Sequence, residues 1–246
     1  MPRQGGIAPA PRKACPKEQP ALALSLAGGA VEIGRFSGNI FGGSITASGW
    51  SDCAGGRGSA VEASLHQIAL DAAFSDWLGS SPVSGPADLD LTLSSVGCSP
   101  ATLVANLSGR ASLQARDGVL HGIDVAGLAD RLARHAPSGG ADTEPRVLAG
   151  SSRYGSLFAS LHIAGGLAQS DYLVLSGSDL TGRGNLSFDL SNWRVHAELA
   201  LRPLAPAEAP PVTLTVGGPP DKASVSTDVG ALEAYFAAHR AAAPAP

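Results

Sequence analysis

Apolar and polar residues alternate with a period of two along much of this chain. Leu186, Phe188 and Leu190 are separated by Ser187 and Asp189. Because successive side chains of a strand point to opposite faces, this pattern predicts strands with one apolar and one solvated face, as in antiparallel sheets. The same alternation recurs in 22–26, 61–66, 88–93, 157–163, 193–201 and 212–216.

Glycine pairs separate these runs, which favours hairpins over long crossovers. The pairs are Gly28-Gly29, Gly42-Gly43, Gly55-Gly56, Gly165-Gly166 and Gly217-Gly218. We predict a mainly β protein of roughly ten to twelve strands. They form a large twisted antiparallel meander sheet, curved into an apolar groove or an open sandwich. The candidates to line such a groove are Leu89, Leu91, Leu93, Leu157, Leu161, Ile163, Leu186, Phe188, Leu190, Val195, Leu199, Val212 and Leu214.

Four short helices interrupt the predicted strands. They occupy 69–78, the segment opened by Ser99-Pro100, the segment capped by Asp124, and 229–239. Ser and Asp are preferred N-cap residues, and Pro is tolerated in the first turn. The chain is therefore expected to contain few helices, all short.

The domain organisation follows from the ends of the chain. Residues 1–20 and 240–246 are rich in Pro and Ala and are predicted to be disordered. Residues 21–239 form one β-rich domain. Within it, the polar stretch at about 136–150 contains Pro and Gly and is expected to be a mobile loop.

Composition excludes some classes of function. The chain has 246 residues, 44% of them hydrophobic, enough for a sizeable core or apolar surface. The formal net charge of −4 offers no basic surface for nucleic acid. The basic N-terminus lacks the apolar stretch of a signal peptide, and no run approaches the roughly 18 apolar residues of a membrane helix. We therefore expect neither a signal peptide nor a membrane helix in this chain.

Motifs for catalysis or metal binding are absent from the sequence. No GxSxG, HExxH, Walker A or GxGxxG motif occurs, and the six histidines are not at metal-ligand spacing. We expect no cofactor and no metal. Cys53 and Cys98 are either a disulfide or free thiols, an alternative that the sequence leaves open. A hydrolase that uses Asp88, Asp90 and Asp189 would need two of these carboxylates together in a cleft.

The segment 107–132, LSGRASLQARDGVLHGIDVAGLADRL, is the most distinctive part of the chain. Asp117-Gly118 is a strong turn pair, and we interpret it as the end of a strand. Gly122 continues the turn, Asp124 caps an amphipathic helix, and His121 has no partner nucleophile in the sequence. The segment therefore predicts a helix docked at an edge or end of a sheet.

The chain resembles the C-terminal region of the AsmA family in three passages: 31–49, 99–110 and 116–125. A further similar passage is 158–168, with the strands to about residue 202. In this resemblance Asp117, Gly118, Gly122 and Asp124 serve as family markers. It implies a bacterial envelope protein on the periplasmic side of the inner membrane. Such proteins are linked to outer-membrane assembly, and larger relatives are thought to carry phospholipid along a hydrophobic groove.

Two functions remain open from the sequence. In the first, a non-enzymatic envelope protein binds or passes phospholipid or another acyl lipid in an open apolar trough, together with an inner-membrane or envelope protein partner. Each CH₂ transferred into such a trough contributes about 0.8 kcal/mol. In the alternative, two apolar faces close on each other in a structural or partner-binding β module without a ligand.

Overall fold

The structure is a computed structural model that describes residues 21–27, 30–52, 55–56, 58–79, 81–134 and 150–241. Its described residues form thirteen strands, four α-helices and one 3₁₀ turn. The strands are β1 Ala21–Ala27, β2 Ala30–Ile40, β3 Gly43–Asp52, β4 Gly58–Ala69, β5 Val83–Ser84, β6 Pro86–Ser95, β7 Ser108–His121, β8 Ser151–Ala164, β9 Leu167–Ser176, β10 Leu180–Asp189, β11 Arg194–Pro203, β12 Val212–Gly218 and β13 Ser224–Asp228. The helices are α1 Leu70–Leu78, α2 Pro100–Ala105, α3 Val125–Arg134 and α4 Gly230–Ala241, and the 3₁₀ turn is Pro220–Lys222.

All thirteen strands of the described residues belong to one antiparallel sheet. Along the sheet, the strand order is the sequence order from β1 to β13, except that β5 and β6 lie end to end beside β7. The sheet is open, with β1 and β13 at its edges. The prediction of a large antiparallel meander with a few short helices is confirmed, whereas its curvature into a groove stays a prediction.

Pairing registers place apolar and polar residues on opposite faces of the sheet. Leu89 pairs with Leu113, and Leu113 pairs with Ala159. The residues on either side of Leu89 and Leu113 along their strands are polar. Strand alternation thus produces an inner face of apolar side chains and an outer face rich in Ser, Thr, Asp and Arg.

Helices α3 and α4 cover one end of the inner face. Val125, Leu128 and Leu132 of α3 are buried in the same hydrophobic cluster as Leu232 and Phe236 of α4. Helix α3 also contacts β11, although it follows β7 in the chain. The core therefore lies where the two helices pack across the sheet.

The sheet coils strongly along its length. Helix α1 follows β4, yet it contacts the 3₁₀ turn that follows β12. A flat sheet would separate strands seven positions apart by about 34 Å. Twist and coiling of the sheet therefore bring its distant strands together.

Local chemistry explains where the helices begin. The Ser99 hydroxyl accepts a hydrogen bond from the Thr102 backbone N–H at 3.1 Å, in a capping box with Pro100 in the first turn. Asp124 Oδ1 accepts a hydrogen bond from the Gly127 N–H at 2.9 Å, so Asp124 is the N-cap of α3. All four predicted helices are present. Helix α4 reaches Ala241, two residues past the predicted end.

The predicted strand end at Asp117-Gly118 is wrong. Strand β7 continues from Ser108 to His121, and the turn comes only at Gly122, whose N–H donates to the Gly150 carbonyl at 2.8 Å. Asp117 has a φ of 48° and forms a bulge opposite the β5–β6 break. Asp tolerates this left-handed conformation in a bulge as well as in a turn, so the residue pair alone did not distinguish the two.

Several predictions lie outside the described residues. They are the disordered 1–20 segment, most of the mobile loop at 136–150, and the terminal residues 242–246. Cys53 is also outside them, while Cys98 is exposed. The pairing of the two cysteines therefore stays a prediction.

Candidate functional site

Four rows of directly paired residues cross the inner face and define the candidate site. The first row, nearest α3 and α4, is Ala87, Ala115, Leu157, Leu175, Gly182, Leu201 and Val212. The second row is Leu65, Leu89, Leu113, Ala159, Leu173, Gly184, Leu199 and Leu214. The third row is Ala63, Leu91, Ala111 and Leu161 and, beyond the β8–β9 bulge, the buried Ser170, Leu186, Ala197, Val216 and Val225.

The fourth row is the longest, with one residue from each of eleven strands. Every one of these residues is apolar or glycine. The row therefore forms an uninterrupted apolar band across the sheet. It consists of Leu24, Ile33, Gly49, Val61, Leu93, Gly109, Ile163, Ala168, Phe188, Val195 and Gly218.

Coverage of the inner face decreases from the first row to the fourth. Leu201 of the first row is 0% exposed beneath the helices, whereas Val61 and Leu24 of the fourth row are 40% and 51% exposed. Leu93 and Val195 are half-buried. In the described part of the chain, no fourth-row residue belongs to the helix-covered core cluster. The fourth row is thus accessible toward β1, at Leu24 and Val61, whereas Ile163 and Ala168 in its middle are buried.

Twelve of the thirteen predicted groove candidates lie in these rows. Leu157, Ile163, Val212 and Leu214 are buried, and the others are half-buried. The exception is Leu190, which lies in the turn after β10, where its N–H donates to the Gly166 carbonyl at 2.9 Å. Its prediction as a strand residue is wrong, since the Asp189 carboxylate organises a turn one residue earlier. That the other twelve contact lipid stays a prediction.

Residues of β1 and β2 on the inner face were not among the predicted groove candidates. Leu24 and Ile33 continue the fourth row to the edge of the sheet. Register shifts in β2, between Ile33 and Phe36, break the period-two alternation there. The alternation in 22–26 was the signal that could have extended the candidate set to the first strand.

Gly118, one of the four family-marker residues, lies in a narrow slot between β5 and the Tyr154 ring. Gly85 and Gly118 approach each other where β5 ends, and the ring of Tyr154 lies against both glycines. The Tyr154 hydroxyl donates to the Ser84 carbonyl at 2.9 Å, and burial raises the pKa of Tyr154. A Cβ at Gly118 would meet both the Ser84 carbonyl oxygen and the Tyr154 ring. This packing could not be predicted from the sequence, because Tyr154 is distant from Gly118 along the chain.

The carboxylates of the catalytic alternative are engaged in local hydrogen bonds. Asp88 accepts a hydrogen bond from the Gln67 backbone N–H at 3.0 Å, which lowers the pKa of Asp88. Asp90 accepts from the Ser64 hydroxyl at 2.6 Å. Asp88 and Asp90 lie on the outer face of β6, whereas Asp189 lies at the end of β10. The hydrogen bonds of Asp88 and Asp90 thus link β4 to β6.

The structure also locates His121 and the other residues of the types that bind metal ions. His121 is exposed, and its Nε2 lies 3.2 Å from the Ser84 hydroxyl. Within the described ranges, no three His, Cys, Asp or Glu residues are arranged to hold a metal ion. None of the helices in the described chain has the length and apolarity required to cross a membrane.

These features define a class of protein: a single open β-meander with a helix-covered end and an apolar band that is partly exposed. A comparison with protein families matches residues 14–148 to the AsmA family. The chain belongs to this family, which is associated with the bacterial envelope. The match contains Asp117, Gly118, Gly122 and Asp124, and the strands from β8 onward lie beyond it. No curated protein and no solved structure matches the chain.

Proposed function

We propose that this protein is a non-enzymatic component of the bacterial envelope that binds phospholipid acyl chains on the fourth row of its inner face. It acts on the periplasmic side of the inner membrane and supports outer-membrane assembly with an envelope partner. The observation that carries the proposal is the uninterrupted apolar band across eleven strands, accessible at Leu24 and Val61. Membership in an envelope family supports the same assignment.

The size of the apolar band suits an acyl chain. Eleven strands at a spacing of about 4.8 Å span roughly 50 Å along the row, longer than an extended lipid tail. Ten methylene groups removed from water contribute about 8 kcal/mol before the cost of association. No catalytic group is needed for such binding, because the hydrophobic effect is non-directional.

Substitution on the row tests this proposal. Leu93→Asp places a carboxylate on the apolar band, and burying a charge beneath a lipid tail is strongly unfavourable. Thr92→Asp is the matched control, because Thr92 is the adjacent residue on the outer face and is exposed. Binding of a fluorescent phospholipid and co-purified lipid phosphorus are measured for both variants. We expect Leu93→Asp to weaken binding roughly tenfold or more and Thr92→Asp to leave it unchanged.

A second variant keeps the proposal testable if Leu93→Asp fails to fold. Val61 is 40% exposed, so Val61→Asp disturbs the folded state less than a change at a buried position. Circular dichroism and thermal unfolding check that each variant is folded. The proposal is refuted if the unmodified protein, freed of lipid, binds no phospholipid, or if both row variants bind it as well as the control.

The partner-binding alternative has one observation in its favour. Edge strand β1 presents Leu24 and Leu26, which are 51% and 72% exposed, and an edge strand can pair with a strand of another protein. The variant Leu26→Lys would weaken such pairing while leaving the fourth row intact. Loss of a protein complex without loss of lipid binding would favour this alternative.

A further inference from the structure

A cleft of about 750 Å³ lies at the far end of the sheet from α3 and α4. Strands β10 and β11 supply Ser187, Asp189, Arg194 and His196 to its lining. The connection from β12 to β13 supplies Lys222. None of these polar residues belongs to the four rows, because Ser187, Arg194 and His196 alternate with Phe188 and Val195 and therefore lie on the outer face of the sheet.

The cleft has an excess of positive charge. Two permanent cations, Arg194 and Lys222, line it together with a single carboxylate, Asp189. Among the described residues, no carboxylate lies within ion-pair distance of Arg194 or Lys222. Because the whole chain has a net charge of −4, this positive excess is a local property of the cleft.

Asp189 is occupied by its own turn. Its carboxylate accepts hydrogen bonds from the Ser191 N–H at 2.9 Å and from the Asn192 N–H and side-chain amide at 2.9 and 2.7 Å. These donors, above all the Asn192 side chain, lower the pKa of Asp189. The carboxylate therefore already has partners, and the two cations keep their donors for a ligand.

The chemistry of the lining suits a phosphate group. An arginine guanidinium offers paired N–H donors that match phosphate oxygens, and lysine adds a compact point charge. The Ser187 hydroxyl and the His196 ring provide further polar atoms on the same side of the sheet. Gly217 pairs with His196, and its missing side chain keeps the middle of the cleft open.

A second surface hollow provides a contrast within the same sheet. It has a volume of about 570 Å³ and is lined by strands β2, β3 and β4. Arg35 and Glu62 are its charged residues, one of each sign. A hollow with balanced charges is not expected to select anions, so Arg35 is a control for general electrostatic effects.

The cleft also adjoins the fourth row. Val195 and Gly218 belong to that row and also line the cleft, at the ends of β11 and β12, where the outer face that carries the polar lining meets the inner face. We propose that this cleft binds a phosphate group through Arg194 and Lys222. Binding of phosphate stands by itself, whereas assignment of that phosphate to a lipid headgroup rests on the proposed function.

The test uses the full chain with two probes, inorganic phosphate and a short-chain lysophosphatidylglycerol below its micelle concentration. Titration calorimetry at low salt compares three proteins with the unmodified one. Arg194→Gln/Lys222→Gln removes both cations. Gly217→Val fills the cleft, and its Cβ would meet nothing closer than His196 Nδ1 at 4.0 Å. Arg35→Gln is the control.

We expect the double variant and Gly217→Val to weaken phosphate binding roughly tenfold or more, and Arg35→Gln to leave it unchanged. Absence of phosphate binding by the unmodified protein would overturn the site. So would binding that neither cleft variant weakens, or that Arg35→Gln weakens equally.

The lipid probe separates the two sources of the phosphate. A headgroup site predicts that the lysophospholipid binds at least about tenfold more tightly than inorganic phosphate, and that Leu93→Asp weakens only the lipid probe. If the lysophospholipid and inorganic phosphate bind with equal affinity, the assignment of the phosphate to a lipid headgroup is overturned, whereas the anion site itself stands. If the cleft variants lose affinity for the lysophospholipid and Leu93→Asp does not, the result contradicts acyl-chain binding on the fourth row but not phosphate binding in the cleft.

Discussion

Gly118 provides a sharp test of the slot between β5, β7 and β8. A Cβ at this position would overlap the Ser84 carbonyl oxygen and the Tyr154 ring, so the variant Gly118→Ala forces one of them to move. Tyr154 is only 3% exposed, and its neighbours leave the ring little room. Displacing the ring also breaks its hydrogen bond to Ser84.

The expected cost combines two contributions. Overpacking a filled site costs about 1–3 kcal/mol. Loss of the hydrogen bond from Tyr154 to Ser84 adds about 1 kcal/mol. We therefore expect Gly118→Ala to lower the free energy of unfolding by about 2–4 kcal/mol. For a chain of this size, that corresponds to a fall in Tm of about 4 to 16 °C.

Urea unfolding followed by circular dichroism measures this cost. The control is a glycine on the neighbouring strand, Gly155. Gly155 lies beside Tyr154 on β8, and a Cβ there would meet only the Ser176 carbonyl oxygen at 3.6 Å. We expect Gly155→Ala to be neutral or to stabilise the protein by about 0.5 kcal/mol. In a Tyr154→Ala background, the cost of Gly118→Ala should fall by more than about 1 kcal/mol.

Two results would refute the reasoning about the slot. One is a cost of Gly118→Ala below about 0.5 kcal/mol, within the range of ordinary surface substitutions. The other is an equal cost in the presence and absence of the Tyr154 ring, which would assign the strain to the Ser84 backbone alone.

Three further predictions concern the covered end of the sheet and its polar face. Leu128→Ala in α3 removes a side chain that is 2% exposed and should cost about 3 kcal/mol in urea unfolding, and a loss below about 1 kcal/mol would contradict the docking of α3. Asp124→Ala should cost about 1 kcal/mol through loss of the N-cap, whereas Asp130→Ala, on the exposed side of the same helix, should cost less than about 0.5 kcal/mol. The Gln67 N–H lowers the pKa of Asp88 below its ordinary value of 3.8, so the stabilisation is present above that value and is lost as the pH falls through the folded-state pKa. Asp88→Asn should therefore reduce the loss of stability as the pH falls from about 5 to about 2, and an unchanged pH profile would contradict this role.

Period-two alternation was sufficient to predict the sheet, because side-chain direction in a strand depends only on local geometry. The helix caps at Ser99 and Asp124 were also predictable, since each cap bonds to an N–H three residues away. Strand β5 was not, because two residues, Val83 and Ser84, are too short to show a period.

Structural features that depend on residues far apart along the chain could not be predicted from the sequence. Asp117-Gly118 has the composition of a turn, and only the ring of Tyr154 and the β5–β6 break show why the chain bulges there instead. The cationic cleft was not predicted for a similar reason. Arg194 follows the pattern of a solvated strand face, and nothing along the chain indicates that Lys222 shares a cleft with it.

The order of strands in this sheet bears on how the protein could change length. Each full strand pairs with its immediate predecessor and successor, so no connection has to pass over another strand. Insertion or deletion of one hairpin would shift the edge of the sheet by two strand spacings, about 10 Å, and leave the remaining pairings intact. Lineages could therefore adjust the span of the sheet in hairpin-sized steps at its β1 edge, where the added strands lie away from the contacts of α3 with β11 and α4.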